Sequence, residues 1–375
     1  EDRLKGPYTA ALPLPPPDGP QPTLYALPGN HDWYDGLTAF LRLFVGERTD
    51  HIGGWRTEQS RSYFAVQLPH RWWLFAFDEA FGAYLDDPQL VYFEQVAREL
   101  TPQDRVILVA PSPSWLDTNP KGYDTIDFFL RTIIAPTGAR VPLMLAGDLH
   151  HYARYAGPQR QLITCGGGGA YLSATHTLPE QITVPPRGSI VRKVGLRREY
   201  ELATRFPDAA GSRRRSWGVF GRLPWRNPGF VALLGTIHTL LMLSVAGAAA
   251  QLDQVAERLV SIPLLLSVLL VLGGTVGLAS FPTGHASAQA RVGWGTLHGS
   301  AHLAVGLVGG LTWLMLPFPN WPWPLPLLAA TVLYLPVAGL VTSQLVAGYL
   351  LLASRFGVNV NELFAAQGIA NDKCF

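Results

Sequence analysis

Between Gly229 and Ala353 the chain carries four formal charges, Asp253, Glu257, Arg258 and Arg291, and is otherwise dominated by four apolar runs. The runs cover residues 230–249, 259–280, 298–316 and 327–353, and none contains a charged side chain. Each approaches or exceeds the ~20 residues needed to cross a bilayer core. Buried helices of a soluble protein rarely give four such runs in succession, so the sequence predicts an all-α, four-span transmembrane region over 229–353. Pro336 is expected to kink the last span. Gly273/Gly277 and Gly306/Gly310 have the small-xxx-small spacing that lets helices approach closely. His238, His298 and His302 fall within the runs. His298 and His302 are four apart, a spacing that can chelate a metal, but a place near a helix end and headgroup contact account for them more simply.

The segment before the runs is strongly basic. Residues 187–228 hold eleven Lys or Arg against Glu199, Glu201 and Asp208, a net charge of +8 within a chain of +2. Trp217, Phe220 and Trp225 interleave with the arginines. A basic, aromatic stretch beside apolar spans suits anionic lipid and sets topology, so membrane lipids are the expected partner and nucleic acid is not. Four spans return the chain to its starting side, where the basic connector, Arg291 and Arg355 all fall. That side is therefore expected to be cytoplasmic, with Trp321 and Trp323 at the far interface. Cys165 and Cys374 cannot form a disulfide framework, in keeping with a reducing compartment.

Residues 1–186 read as an α/β domain. Apolar strand-like runs at 61–68, 71–77, 105–110 and 141–146 alternate with helix-like runs at 87–100 and 123–134. Residues 152–156 and 161–165 pair plausibly as antiparallel strands. One short strand, 23–27, ends in Leu27-Pro28-Gly29-Asn30-His31-Asp32, and a helix-like segment follows over 33–44. Polar residues just past a strand's carboxyl end are where open α/β sheets place their chemistry. An amide oxygen and an imidazole can ligate a divalent ion, and a carboxylate can orient the imidazole. The bland alternative is a turn with Asp32 as helix cap and His31 in solvent. The run 141–146 ends similarly, in Gly147-Asp148-Leu149-His150-His151, and a glycine-rich turn after Cys165 leads to His176. His51 and His70 lie in loop contexts that suit solvated side chains.

The Gly29-Asn30-His31-Asp32 block resembles that of the calcineurin-like metallophosphoesterases, and Gly147–His150 is similar to their late Gly-His-x-His block. The Arg61–Phe64 strand, the Trp72-Trp73 hairpin and Asn361-Glu362-Leu363-Phe364 resemble a membrane-attached bacterial branch of that superfamily. The resemblance implies part of a two-sheet sandwich flanked by helices. It also implies hydrolysis of a phosphate mono- or diester by a metal-bound hydroxide, with two divalent ions (Mn, Fe or Zn). Asn30 would ligate the second ion and His150 the first. His31 would protonate the leaving group, and Asp32 would hold its tautomer. His151 would stand behind the ligands or face the substrate.

Two positions depart from the family pattern. Asp148 stands where an imidazole is usual and would ligate as a carboxylate. The strand 106–110 runs into Pro111-Ser112-Pro113-Ser114, without the usual histidine. The family's opening Asp-x-His and Gly-Asp do not precede Gly29, so the chain is expected to be an internal part of a longer protein, inactive alone. The implied whole is a multi-pass enzyme of the bacterial cytoplasmic membrane. Residues 1–186 would be catalytic, 187–228 the connector, 229–353 the spans and 354–375 the start of a cytoplasmic segment. Its substrate would be a phosphorylated small molecule or lipid. The competing reading is a catalytically degenerate sensor or scaffold that binds a phosphorylated ligand at the membrane.

Overall fold

The computed structural model describes residues 5–12, 19, 21–45, 51–79, 85–116, 120–167, 171–193, 196–251, 261–281 and 286–368. The chain forms two compact units, one from residues 1–168 and 179–206 and the other from 169–178 and 207–372.

The first unit is built on an eight-stranded mixed sheet. Three short strands, β1 (Thr23–Leu24), β2 (His51–Ile52) and β3 (Trp55–Thr57), form a separate ribbon. The large sheet contains β4 (Phe64–Leu68), β5 (Trp72–Ala76), β6 (Arg105–Ala110), β7 (Arg140–Ala146), β8 (Tyr152–Ala156), β9 (Gln161–Cys165), β10 (Gln181–Val184) and β11 (Arg198–Phe206). Its order is β10-β11-β8-β9-β7-β6-β5-β4. β5, β6, β7 and β9 run parallel as the central strands, and the outer pairings are antiparallel. Parallel central strands are covered on both faces, which explains their nearly unbroken apolar runs.

A cluster of phenyl rings joins sheet to helices. Phe75 and Phe77, from β5 and its end, meet Phe93 and Phe129 at ring separations of 5.0–5.6 Å. All four rings are fully buried. Phe93 is carried by the helix Asp87–Ala97, whose start is fixed by Asp86 accepting from the Gln89 N–H at 3.0 Å and by a proline in its first turn.

Beside the eight-stranded sheet, the second sheet among the described residues is the short ribbon. Its strands of two or three residues cannot cover the large sheet. The strand leading to Asn30 also stops early, at Leu24, and pairs with β3 in that ribbon. Its continuation is satisfied by a side chain: the Gln59 amide accepts from the Ala26 N–H at 2.6 Å and donates to Ala26 C=O at 2.9 Å. That amide occupies the backbone groups a neighbouring strand would have used. Part of the expected basic connector is also sheet, because Arg198–Phe206 is β11.

The second unit is helical. Among the described residues, three helices are long and apolar enough to cross a membrane: Pro228–Ala250, Ile262–Ser280 and Leu325–Ser354. The fourth expected run does form a helix, Ala288–Met315, of 28 residues. Its glycines, Arg291 and two histidines make it less apolar, so three crossings, rather than four, stand on length and composition. Ahead of Pro336 the last helix widens into a π turn at Ala330–Tyr334, which accommodates a residue that has no N–H to donate. Gly306 and Gly310 face the Pro228–Gln251 helix so closely that an added Cβ would lie 2.1 Å from Leu241 and 2.5 Å from Val245. Gly273 and Gly277, by contrast, face open space.

His298 and His302 are not near a helix end. The helix begins ten residues before His298, where Ser287 caps it by accepting from the Ala290 N–H at 3.2 Å. Both rings are buried, and with His238 they make a chain: His238 Nε2 lies 2.8 Å from His302 Nδ1, and His302 Nε2 lies 3.0 Å from His298 Nε2. The central ring uses its two nitrogens toward different neighbours, so the three imidazoles do not converge on one point as metal ligands would.

Candidate active site at the carboxyl edge of the parallel strands

β5, β6 and β7 end in register, with Ala76 beside Val109 and Ala110 beside Ala146. The segments just past these strands therefore share one edge: Asp78-Glu79 after β5, Pro111–Ser114 after β6 and Asp148–His151 after β7. The loops are also tied together, since Gly147 N–H donates to Pro111 C=O at 3.2 Å. Gly166, just past β9, passes so close to the late block that a Cβ there would sit 2.1 Å from Leu149 O.

Asn30, His31 and Asp32 open a 3₁₀ helix, Asn30–Asp35, and all three side chains are exposed. The helix is anchored to the sheet edge by Trp33, whose indole N–H donates to Asp78 Oδ1 at 3.0 Å. Asp32 accepts from the Gly29 N–H at 2.9 Å, so its carboxylate caps its own turn. His31 packs against Tyr34, ring centres 4.9 Å apart.

Asp148 adopts a left-handed backbone, φ 62°, which turns the chain sharply at the strand end. It is exposed, yet loss of water pushes its carboxyl above the usual range, while His150 and His31 pull it back. The tie from Trp33 to Asp78 brings the Asn30 turn to the same strand edge from which the late block emerges. His151 is buried, and neither ring nitrogen has a hydrogen-bond partner among the described residues. Burial, helped by His150, pushes its pKa down to about 4, so it is neutral at physiological pH.

Sequence reasoning missed two acids here. Asp78 and Glu79 are buried at the end of β5. Burial raises Asp78, opposed by hydrogen bonds from Ser62 and Trp33, with Asp86 and Asp32 reinforcing the rise. Glu79 is pushed up to about 7 by burial and by Asp78, against a hydrogen bond from Thr125. Its Oε1 has no hydrogen-bond partner among the described residues. The available signal was two carboxylates directly after an entirely apolar strand. Where the family would place a further histidine, Ser112 and Ser114 sit with their hydroxyls 3.1 Å apart.

Other candidates lie elsewhere. His176 belongs to the helical unit, where its Nδ1 lies 2.8 Å from Ser212 Oγ. Cys165 is an exposed free thiol at the end of β9, and Cys374 lies outside the described residues. Among the described residues, no group of three His, Cys, Asp or Glu side chains is already drawn together at metal-binding distances. A carboxylate, an imidazole and an amide oxygen, the groups Asp148, His150 and Asn30 carry, are each of a type that a hard or borderline divalent ion accepts.

The chain matches no family model, no curated protein and no solved structure. Its functional reading rests on this geometry.

Proposed function

We propose that the protein is a membrane-anchored, metal-dependent phosphoesterase whose centre is formed by Asn30, His31, Asp148 and His150. The observation that carries this reading is the shared carboxyl edge of the parallel strands β5, β6 and β7, where the segment bearing Asp148 and His150 emerges and to which Trp33 ties the Asn30 turn through Asp78 at 3.0 Å. A divalent ion at such a centre supplies charge neutralisation for a phosphoryl group and activates water for attack.

The protein's own groups then divide the remaining work. Asp148, His150 and Asn30 hold the ion. His31, exposed on its 3₁₀ turn, is free to donate a proton to the leaving oxygen. Glu79 can exchange a proton near neutral pH behind the site. Asp32 positions the turn through Gly29.

The membrane part is read as four crossings, with the Ala288–Met315 helix as the third in sequence. The phosphoesterase unit would be cytoplasmic, because positive charge concentrates on one side of the spans. Trp217 and Trp225, both exposed among the arginines, suit a headgroup interface. The substrate class is a phosphorylated small molecule or lipid. The competing reading, a non-catalytic phosphate binder, is favoured by Ser112 and Ser114 standing in place of an imidazole.

Hydrolysis of p-nitrophenyl phosphate and of its diester analogue by full-length protein with Mn²⁺ separates the two. Turnover abolished by EDTA supports the enzyme, and metal-free phosphate binding without turnover supports the binder. Cysteine labelling at Arg214 and Asn320, both exposed, in intact cells tests the orientation.

A further inference from the structure

The opposite ends of the same strands carry a second concentration of charge. Arg105 opens β6, Arg140 opens β7, Arg160 precedes β9 and Arg198 opens β11. With Arg131 they line one cavity of about 1060 Å³ in which Asp127 is the lone carboxylate among the lining residues. Asp127 is already engaged, its Oδ2 lying 2.5 Å from Arg131 Nε.

The other four guanidinium groups make no ion pair among the described residues. Arg160 Nε donates to Val141 C=O at 2.8 Å, and its Nη1 lies 3.5 Å from Met144 Sδ. Arg198 donates to the Gln159 amide oxygen at 3.0 Å, and Arg105 lies over the Trp72 ring at 5.4 Å. Arg140 makes no ion pair among the described residues. Arg160 is half-buried, and loss of water lowers its pKa, with Arg198 adding to the fall and Tyr200, Tyr123 and, least, Asp127 opposing it.

Scattered arginines on a convex surface are ordinary, each solvated on its own. Four guanidinium groups around one concavity, none of them in an ion pair among the described residues, are different, because their fields add and low-dielectric walls focus them. The guanidinium fork also matches phosphoryl oxygens in pairs. Buried Tyr123, Ile134, Val184 and Tyr200 supply a wall for an organic body. The volume is that of a small-ligand site. A phosphodiester headgroup brings a single negative charge and would leave most of these cations unmatched.

We propose that this cavity binds a soluble organic phosphate carrying at least two phosphoryl groups, at a site separate from the candidate active centre. The two lie at opposite ends of β7, whose seven residues span ~20 Å.

The test is calorimetric titration of ATP into the detergent-solubilised full-length protein with EDTA present, so that metal-dependent phosphate binding at the candidate centre is silenced. One saturable event is expected. It should be weakened at least tenfold in Arg140→Gln/Arg198→Gln, two exposed positions whose change spares the core, and in Arg160→Met. It should be unchanged in His150→Ala, displaced by inorganic pyrophosphate and not displaced by dihexanoylphosphatidylglycerol. The proposal is overturned by no saturable event, by wild-type affinity in the Arg140→Gln/Arg198→Gln protein, or by displacement with the short-chain lipid alone. Loss of binding in His150→Ala, with retention in the arginine variants, would move the ligand to the candidate centre. That outcome overturns the cavity and leaves the phosphoesterase reading standing.

Discussion

Trp33 donates its indole N–H to Asp78 Oδ1 at 3.0 Å, and this contact pins the turn bearing Asn30 and His31 to the end of a central strand. The acceptor is buried and partly desolvated. Trp33→Phe keeps the ring but leaves that acceptor short of a donor, at a cost of about 1–3 kcal/mol. Asp78→Asn keeps an acceptor oxygen and removes the desolvated charge, so it should cost less. Thermal unfolding followed by tryptophan fluorescence should rank wild type and Asp78→Asn above Trp33→Phe. A Trp33→Phe protein as stable as wild type would show that the tether is idle.

Glu79 gives the sheet unit a pH dependence with a definite sign. Its folded pKa, about 7, lies above the ordinary carboxyl value of 4.5. The stabilisation from keeping Glu79 protonated is therefore complete below pH 4.5 and is lost as pH rises through about 7. Linkage puts the change at about 3 kcal/mol. Glu79→Gln should flatten stability across this interval and be more stable than wild type at pH 8. An unchanged slope in the variant would remove Glu79 as its source.

The histidine chain between the Pro228–Gln251 and Ala288–Met315 helices makes a non-additive prediction. His302→Leu strands nitrogens of both His238 and His298 in a buried setting, each costing about 1–3 kcal/mol. Replacing all three by Leu leaves no orphan. Thermal inactivation in detergent should therefore rank the single variant below the triple. The reverse order would mean that the rings do not depend on one another.

The division of labour at the candidate centre is also testable. His31→Asn should lower turnover by about 10²–10⁴-fold while metal content stays near wild type, because a proton donor is lost and no ligand. Equal metal loss in His31→Asn and His150→Ala would make His31 a ligand instead.

Local patterning explains how much of this was legible in the sequence. β6, β8 and β9 lie where apolar runs and turn residues place them, because their neighbours are near in sequence or their burial is complete. The turn after the Asn30 strand was legible, but that strand's change of partner was not, since it depends on Gln59 reaching back to Ala26. The start of the Ala288–Met315 helix was missed because its first turns are weakly apolar and rely on the Ser287 cap. His238 could not be matched to His302 by spacing, since 64 residues separate them. Asp78 and Glu79 were passed over because burial, rather than motif, gives them their chemistry.

The central claim is that the loops after the parallel strands, together with the Asn30 turn, hold a catalytic divalent ion. Titration of Mn²⁺ into full-length wild type, Asp148→Ala and His150→Ala tests it most directly. Wild type should bind stoichiometrically. Asp148→Ala should lose or markedly weaken one binding event, and His150→Ala should lose metal and turnover together. Identical Mn²⁺ isotherms for all three proteins would take both residues out of any metal site and contradict the phosphoesterase account.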